Sequence, residues 1–223
     1  MRLILIRHGQ TPNNVGGALD TAFPGAGLTD LGHAQAAAVP AALADEDVSG
    51  LYASRLVRTQ LTGDPLGQER RIDLGVRPGL EEISAGDLEM RSDEEAVSGY
   101  LEGLAAWMHR ELDRPMPGGP TGRDFFDRYD GAVRAIAADH GKDDTVVAFS
   151  HGAAIRVYAA LVTGIPADEA AGLWIQNTGM ALLEGHPDDG WDLVGWSSTP
   201  LGGAHLGGTR AHDVTGEEVD DRE

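Results

Sequence analysis

The sequence predicts an α/β fold: a three-layer α/β/α sandwich whose central sheet of about six strands is mostly parallel. Three observations predict it. Short apolar runs of strand length alternate along the chain with helical periodicities, the pattern of βαβ units. Residues 3–6 and 145–149 are apolar without alternation, as strands buried on both faces are. The length, 223 residues, suits one domain around one sheet.

The elements follow in order. Residues 3–6 form the first strand. Thr29 and Asp30 cap an alanine-rich helix reaching about Ala44, which Pro40 should kink or shorten. Residues 49–53 give a second strand, and a helix from Ser54 is expected to end near Gly63-Asp64-Pro65. Residues 71–77 alternate, with Ile72, Leu74 and Val76 on one side, and suggest a third strand. Residues 124–139 repeat Phe125, Tyr129, Val133 and Ile136 at helical spacing. The strand at 145–149 leads into a helix over 153–162. Residues 180–184 and 191–196 close the sheet as a pair joined by the turn Pro187-Asp188-Asp189-Gly190.

Two stretches break this rhythm. Residues 85–120 are acidic, proline-punctuated and only locally helical, over 93–114; they read as a short helical excursion that covers the site. From Gly207 the chain carries many acids and few apolar residues, so disorder is expected. The organisation is therefore one α/β domain over 1–206 and an acidic tail over 207–223.

Composition excludes several function classes. Seventeen Lys and Arg stand against 36 Asp and Glu, a formal net charge of −19. That balance excludes a broad nucleic-acid-binding face. The absence of Cys excludes disulfides, thiolate catalysis and Cys-ligated metal centres. Lys142 is the single lysine, so cationic chemistry falls to arginine, whose planar fork grips oxyanions. No stretch approaches the roughly 20 apolar residues of a membrane span. The opening run meets Arg7 and His8 too early for a secretory signal. A cytoplasmic location is the expectation.

The first strand runs into Arg7-His8-Gly9, and the strand at 145–149 into Ser150-His151-Gly152. Ligands in open α/β sheets bind beyond the carboxyl ends of strands, so both histidines are expected at one edge. Glycine removes bulk where something approaches the backbone, and the helices that follow aim N-terminal amides there. Arg7 adjoins the first histidine, and Arg58 lies on the helix after the second strand. Such a His and Arg cluster suits a phosphoryl group.

These residues also carry a family resemblance. Arg7-His8-Gly9-Gln10-Thr11 with Asn14 resembles the signature of the histidine phosphatase superfamily, the phosphoglycerate-mutase-like enzymes. Leu28-Thr29-Asp30-Leu31-Gly32-His33-Ala34-Gln35-Ala36 resembles its following helix start. Ser54-Arg55-Leu56-Val57-Arg58-Thr59 with Thr62 resembles its second-arginine helix. Leu80, Glu82, Gly86, Asp87 and Glu89 resemble the segment of its catalytic acid. Ser150-His151-Gly152 with Ile155-Arg156 resembles its second histidine motif, and Asn177-Thr178-Gly179 a late site turn. These blocks are collinear over residues 2–197.

The resemblance implies a phosphohistidine on His8, Glu82 as general acid and base, and His151 as a third catalytic group, a cationic donor if protonated. It implies phosphoryl contacts from Arg7, Arg58, Asn14 and Thr178. Arg156 and Gln35 match family positions but read as structural. The physics agrees on two roles. A nucleophilic imidazole needs one nitrogen free, so an acceptor such as the Gly9 carbonyl should hold the other N–H. A general acid needs a carboxyl kept protonated; Glu81 is the rival, and successive residues of an extended segment face opposite ways. Two departures touch the excursion: Gly86-Asp87-Leu88-Glu89-Met90 lacks the family's tryptophan, and Gly119-Pro120-Thr121 replaces its Gly-Glu-Ser turn.

The expected activity is hydrolysis of a small phosphorylated metabolite by a histidine acid phosphatase-type phosphomonoesterase. No cofactor, metal, nucleic acid or membrane is expected, and the oligomeric state stays open, a homodimer included. Tyr100, Trp107, Met108, Phe125 and Phe126 are candidates for an apolar leaving-group pocket, although core packing is the commoner fate of such residues. The alternative activity is a phosphoglycerate mutase, disfavoured because Arg91, Arg110 and Arg114 form no adjacent pair in an acidic excursion. Two further alternatives are a metal-dependent hydrolase ligated by His8, Glu82 and His151, and an inactive phosphate-binding protein.

Overall fold

The computed structural model describes residues 1–208 and Val214. Along the chain lie β1 (Arg2–Arg7), α1 (Pro12–Gly16), α2 (Asp30–Ala42), β2 (Val48–Ala53), α3 (Val57–Arg70) and β3 (Leu74–Val76). They continue as α4 (Glu94–Met108), α5 (Gly122–Ala138), β4 (Thr145–Ser150), α6 (Gly152–Thr163), α7 (Ala167–Ala171), β5 (Met180–His186) and β6 (Gly190–Ser197). The six strands form one sheet in the order β3-β2-β4-β1-β5-β6. The β3-β2, β2-β4 and β4-β1 pairs are parallel, whereas β5 and β6 are antiparallel to their neighbours.

The unbroken apolar runs explain the layers. Successive side chains of a strand point to opposite faces. Leu3 and Leu5 of β1, with Val146 and Ala148 of β4, enter the core beneath α4, α5 and α6. Ile4, Ile6, Val147 and Phe149 enter the opposite core, against Val39 and Leu66 of α2 and α3. A central strand with two buried faces can afford no polar alternation.

Most expected elements appear near their expected bounds, and the exceptions have local causes. The α2 helix stops at Ala42 with Pro40 in its last turn, shortened as expected; Thr29 caps it by accepting the Gly32 N–H at 3.0 Å. The α3 helix does not end at Gly63-Asp64-Pro65 but continues to Arg70. Tertiary packing overrides the proline: Gly63 is pressed so closely on Phe149 and Leu74 that an added Cβ would lie 2.8 Å and 3.0 Å from them. The third strand keeps only Leu74–Val76. In the excursion, α4 follows a short 3₁₀ turn at Gly86–Leu88. The short α1 and α7 helices carry too few residues to show periodicity in the sequence.

The tail falls largely outside the described residues. Val214 departs from the expectation of disorder: it is buried and joins the α4–α6 core. No helix among the described residues is long and apolar enough to cross a membrane.

Candidate active site

The strand order brings the two His-Gly motifs together. β1 and β4 are neighbours in register Arg7 to Ser150, so His8 and His151 each stand one residue beyond a paired strand end. The His8 N–H donates to the Ser150 carbonyl at 3.0 Å, and the two rings meet edge-on with centroids 5.2 Å apart. The turn after α7 braces this tip. The Arg7 N–H donates to the Gly179 carbonyl at 3.0 Å, and the Thr178 N–H donates back to the Arg7 carbonyl at 3.0 Å. Thr178 holds φ at 58°, a left-handed conformation costly for a β-branched residue. Asn177 Nδ2 donates to the His8 carbonyl at 3.0 Å. A Cβ on Gly9 would lie 2.6 Å from the Gly32 carbonyl oxygen, so glycine lets the start of α2 press on the loop after His8.

His8 is buried, with Nδ1 2.8 Å from the Gly9 carbonyl oxygen. That geometry makes Nδ1–H the donor and leaves the lone pair on Nε2. Burial, then the charges of Arg58 and Arg7, hold the imidazole pKa well below its ordinary value, against the opposing pull of the Gly9 bond. His8 is therefore neutral at neutral pH. His151 shares a 2.8 Å hydrogen bond through Nε2 with Ser54 Oγ, which shares another with Thr59 Oγ1 at 2.9 Å. Its buried Nδ1 has no partner among the described residues. Burial first, then Arg58 and His8, push its pKa well down too. The cationic form considered for His151 is thus disfavoured in this site.

Arg7 is fully buried and its Nη1 donates to the Ile175 carbonyl at 2.7 Å. Arg58 projects from the first turn of α3 and is also buried. Its Nη2 donates to the Asp20 carbonyl at 2.8 Å and its Nη1 to Asp20 Oδ2 at 3.3 Å. Gly25, at φ +73°, passes so close that a Cβ would collide with Arg58 Nη1.

Glu81 and Glu82 separate as neighbours on an extended segment must. Glu81 turns to Arg55 at 2.6 Å, Arg128 at 3.3 Å and the Gly79 N–H at 2.7 Å. Burial raises its pKa, but these hydrogen bonds prevail and the net shift is downward. Glu82 faces the histidines and sits on the N-terminus of α6. Its Oε1 accepts the Ile83 and Ala154 N–H groups at 2.8 Å, and Oε2 accepts the Ala153 N–H at 3.2 Å. Burial outweighs these donors and raises the Glu82 pKa. Tyr100 supports the segment from below by donating its hydroxyl to the Ile83 carbonyl at 2.9 Å.

These groups surround a small open cavity. Arg7, His8, Asn14, Arg58 and Glu82 line it; His151 lies directly behind His8. Thr178 does not line it, because its hydroxyl turns to the Asn177 carbonyl, 2.7 Å away, and its backbone is spent on the strand tip. Arg156 and Gln35 are braces, on the Ala171 carbonyl and the Gln10 N–H. Of the five pocket candidates Tyr100 alone reaches the cavity, while Trp107, Met108 and Phe125 are buried in the core and Phe126 packs against it. Sequence reasoning missed Asp20 and Val214, both of which line the cavity. Neither has a spacing or motif to mark it. Among the described residues no three His, Asp or Glu side chains are grouped to hold a metal ion, so the three-ligand alternative has no support in the geometry.

Two histidines and an arginine at the ends of adjacent parallel strands, with a second arginine from α3 and one buried carboxyl, form an arrangement suited to an oxyanion. The model of the histidine phosphatase superfamily (branch 1) matches residues 3–199, and the chain belongs to that family. It is 36% identical over 216 residues to the PE-PGRS family protein PE_PGRS11 of Mycobacterium tuberculosis, covering 90% of this chain but 37% of that protein. It is 30% identical over 220 residues to the glucosyl-3-phosphoglycerate phosphatase of Mycolicibacterium vanbaalenii, covering 89% and 95% of the two chains. The structure of a mycobacterial glucosyl-3-phosphoglycerate phosphatase in complex with VO3 superposes with a TM-score of 0.74 at 26% identity, covering 88% of this chain and 98% of that one.

Proposed function

We propose that the protein is a phosphomonoesterase that hydrolyses a small phosphorylated metabolite through a phosphohistidine on His8. One observation carries the reading: a neutral imidazole with Nδ1 tied to the Gly9 carbonyl shares a cavity with two guanidiniums and a buried carboxyl of raised pKa. The phosphatase among the relatives supports the reaction class.

In the first step His8 Nε2 attacks phosphorus and the ester P–O bond breaks. Glu82, protonated, delivers its proton to the departing oxygen. Arg7 and Arg58 stabilise the equatorial oxygens with charges already in position, so the site reorganises little. His151, tied through Nε2 to Ser54 Oγ, packs edge-on against the His8 ring and holds it in place; Asn14 supplies a further contact to the phosphoryl group. In the second step Glu82, now a carboxylate, takes a proton from water as its oxygen attacks phosphorus. The N–P bond breaks, and orthophosphate and neutral His8 are released. Each step replaces one difficult displacement by an easier one.

No step draws on a metal or an organic cofactor, and the expected setting is the cytoplasm. A screen of phosphate esters on the purified protein, without added metal, tests the reading. Release of phosphate, with an acid-labile phosphoryl group trapped on His8, is the expected result. Efficient interconversion of 3- and 2-phosphoglycerate with negligible phosphate release would establish the mutase instead.

A further inference from the structure

Asp20 is an anion built into the wall of a site that binds an anion. It lines the cavity and its side chain is 9% exposed. Its Oδ2 accepts three hydrogen bonds: from Asn13 Nδ2 at 2.9 Å, from the Ala26 N–H at 3.0 Å and from Arg58 Nη1 at 3.3 Å. Its Oδ1 accepts none among the described residues. The segment that carries it is clamped as well. Glu89 accepts the Thr21 and Ala22 N–H groups at 2.8 Å and 2.9 Å, together with the Thr21 hydroxyl. Thr21 Oγ1 in turn accepts the Ala85 N–H at 3.0 Å. Burial depresses the Arg58 guanidinium, and Asp20 is the largest charge that opposes this.

The charge balance of the cavity gives this anion a consequence. Among the described lining residues the cations are Arg7 and Arg58, both at the phosphoryl end. A bound phosphate dianion matches them. Glu82 is then needed in its neutral form, and the Asp20 carboxylate, which already shares Arg58, adds a further negative charge to the same cavity wall. Specificity is often achieved by repelling the wrong partner, and a like charge placed in a partly desolvated site does so strongly.

We propose that Asp20 is a specificity-determining residue: its carboxylate, locked to Arg58 on the cavity wall, turns away esters whose leaving group carries a second negative charge and admits neutral, hydroxyl-bearing ones. The proposal rests on the phosphomonoesterase reading and narrows it to the phosphates of polyols and uncharged sugars. The free Oδ1 edge is also an acceptor for a hydroxyl of such a leaving group.

Glycerol 3-phosphate and 3-phosphoglycerate form the test pair, since a carboxylate in one replaces a hydroxymethyl group in the other. The wild type is expected to show a kcat/KM at least about tenfold higher for glycerol 3-phosphate. In Asp20→Asn that ratio is expected to shrink about tenfold or more, even as the looser hold on Arg58 lowers both values. Asp20→Ser, a second route to the same loss of charge, is expected to move the ratio the same way, with thermal melting confirming that each variant folds. An unchanged ratio in both folded variants overturns the proposal and reduces Asp20 to a support for Arg58. A wild type that prefers 3-phosphoglycerate overturns it directly. If the wild type turns over neither ester nor 4-nitrophenyl phosphate, the phosphomonoesterase reading itself fails.

Discussion

The two ends of the cavity are built differently. The end assigned to the phosphoryl group is made of strand tips and helix starts: Arg7 at the tip of β1 with His8 just beyond it, His151 between β4 and α6, Arg58 in the first turn of α3, and Glu82 on the amides of α6. Arg7 and His151 are fully buried, and His8, Arg58 and Glu82 almost so. The remainder of the lining, termed the mouth, includes loop residues 17–21, Tyr100 from the excursion and Val214 from the tail. Regular elements position one end, and loops supply much of the other. Chemistry needs the first kind of precision and specificity tolerates the second. Substitutions at the phosphoryl end should therefore lower kcat for every ester, whereas substitutions at the mouth should reorder esters and spare the common chemistry.

The largest effect is expected at His8. His8→Ala should reduce kcat by at least about four orders of magnitude for all esters alike, because on the proposed mechanism it removes the nucleophile. Rapid quench with ³²P-labelled ester should trap acid-labile label on the wild type and none on the variant. Residual turnover that still discriminated among esters would break the division between the two ends.

Glu82→Gln comes next, at about 10² to 10⁴ in kcat for alkyl esters, the range of general acid catalysis. For 4-nitrophenyl phosphate, whose leaving group needs no proton, the loss of the first step should be far smaller. The pH profile sharpens this. On the proposed mechanism the active free enzyme carries neutral His8, whose pKa is lowered, and needs a protonated Glu82, whose pKa is raised. Activity should fall as pH drops through the His8 pKa and again as pH rises through the Glu82 pKa. Glu82→Gln should abolish the alkaline limb of kcat/KM and keep the acid limb. An alkaline limb that survives would assign it to another group.

The same contrast explains what the sequence made legible. The layers, most strands and most helices follow from periodicity, whereas the strand order that sets β1 beside β4 was not legible. His8, Arg7, Arg58 and Glu82 were legible because strand-end motifs and collinear blocks mark them. The alternation of an extended segment required that only one of Glu81 and Glu82 point inward, and the spacing to Gly86 and Asp87 that the family resemblance supplies selected Glu82. The mouth was not legible. Asp20 sits in a loop, where only the fold brings it to Arg58, and Val214 lies in a stretch whose composition gives no hint of burial. Thr178 sits in a site-like turn, yet its left-handed backbone serves the strand tip. Local pattern likewise misjudged α3, since Pro65 punctuates the sequence but the sheet beneath holds the helix together.

Val214 offers a mild test of the mouth. Val214→Ala removes two methyl groups from a lining residue and should change KM for bulky esters by no more than about fivefold, with kcat nearly constant, since at most about 1 kcal/mol of apolar contact with the ester is at stake. Steady-state kinetics on a series of esters of increasing size would show it. A loss of kcat shared by small and large esters would place Val214 with the phosphoryl end.

The smallest effect concerns the field of the whole molecule. A net charge of −19 repels a dianionic ester at long range, while the guanidiniums attract it only inside the cavity. Raising ionic strength from about 0.01 M to 0.15 M shortens the Debye length from about 30 Å to about 8 Å. The distant repulsion is screened first, and the short contacts to Arg7 and Arg58 survive because those side chains are buried. kcat/KM for 4-nitrophenyl phosphate should therefore rise, or fall by no more than about twofold, across a sodium chloride series at fixed pH, with kcat flat. A steep decline would mean that the positive end steers substrate from outside the cavity, and the mouth would then be part of an attractive field rather than a gate set in a repelling one.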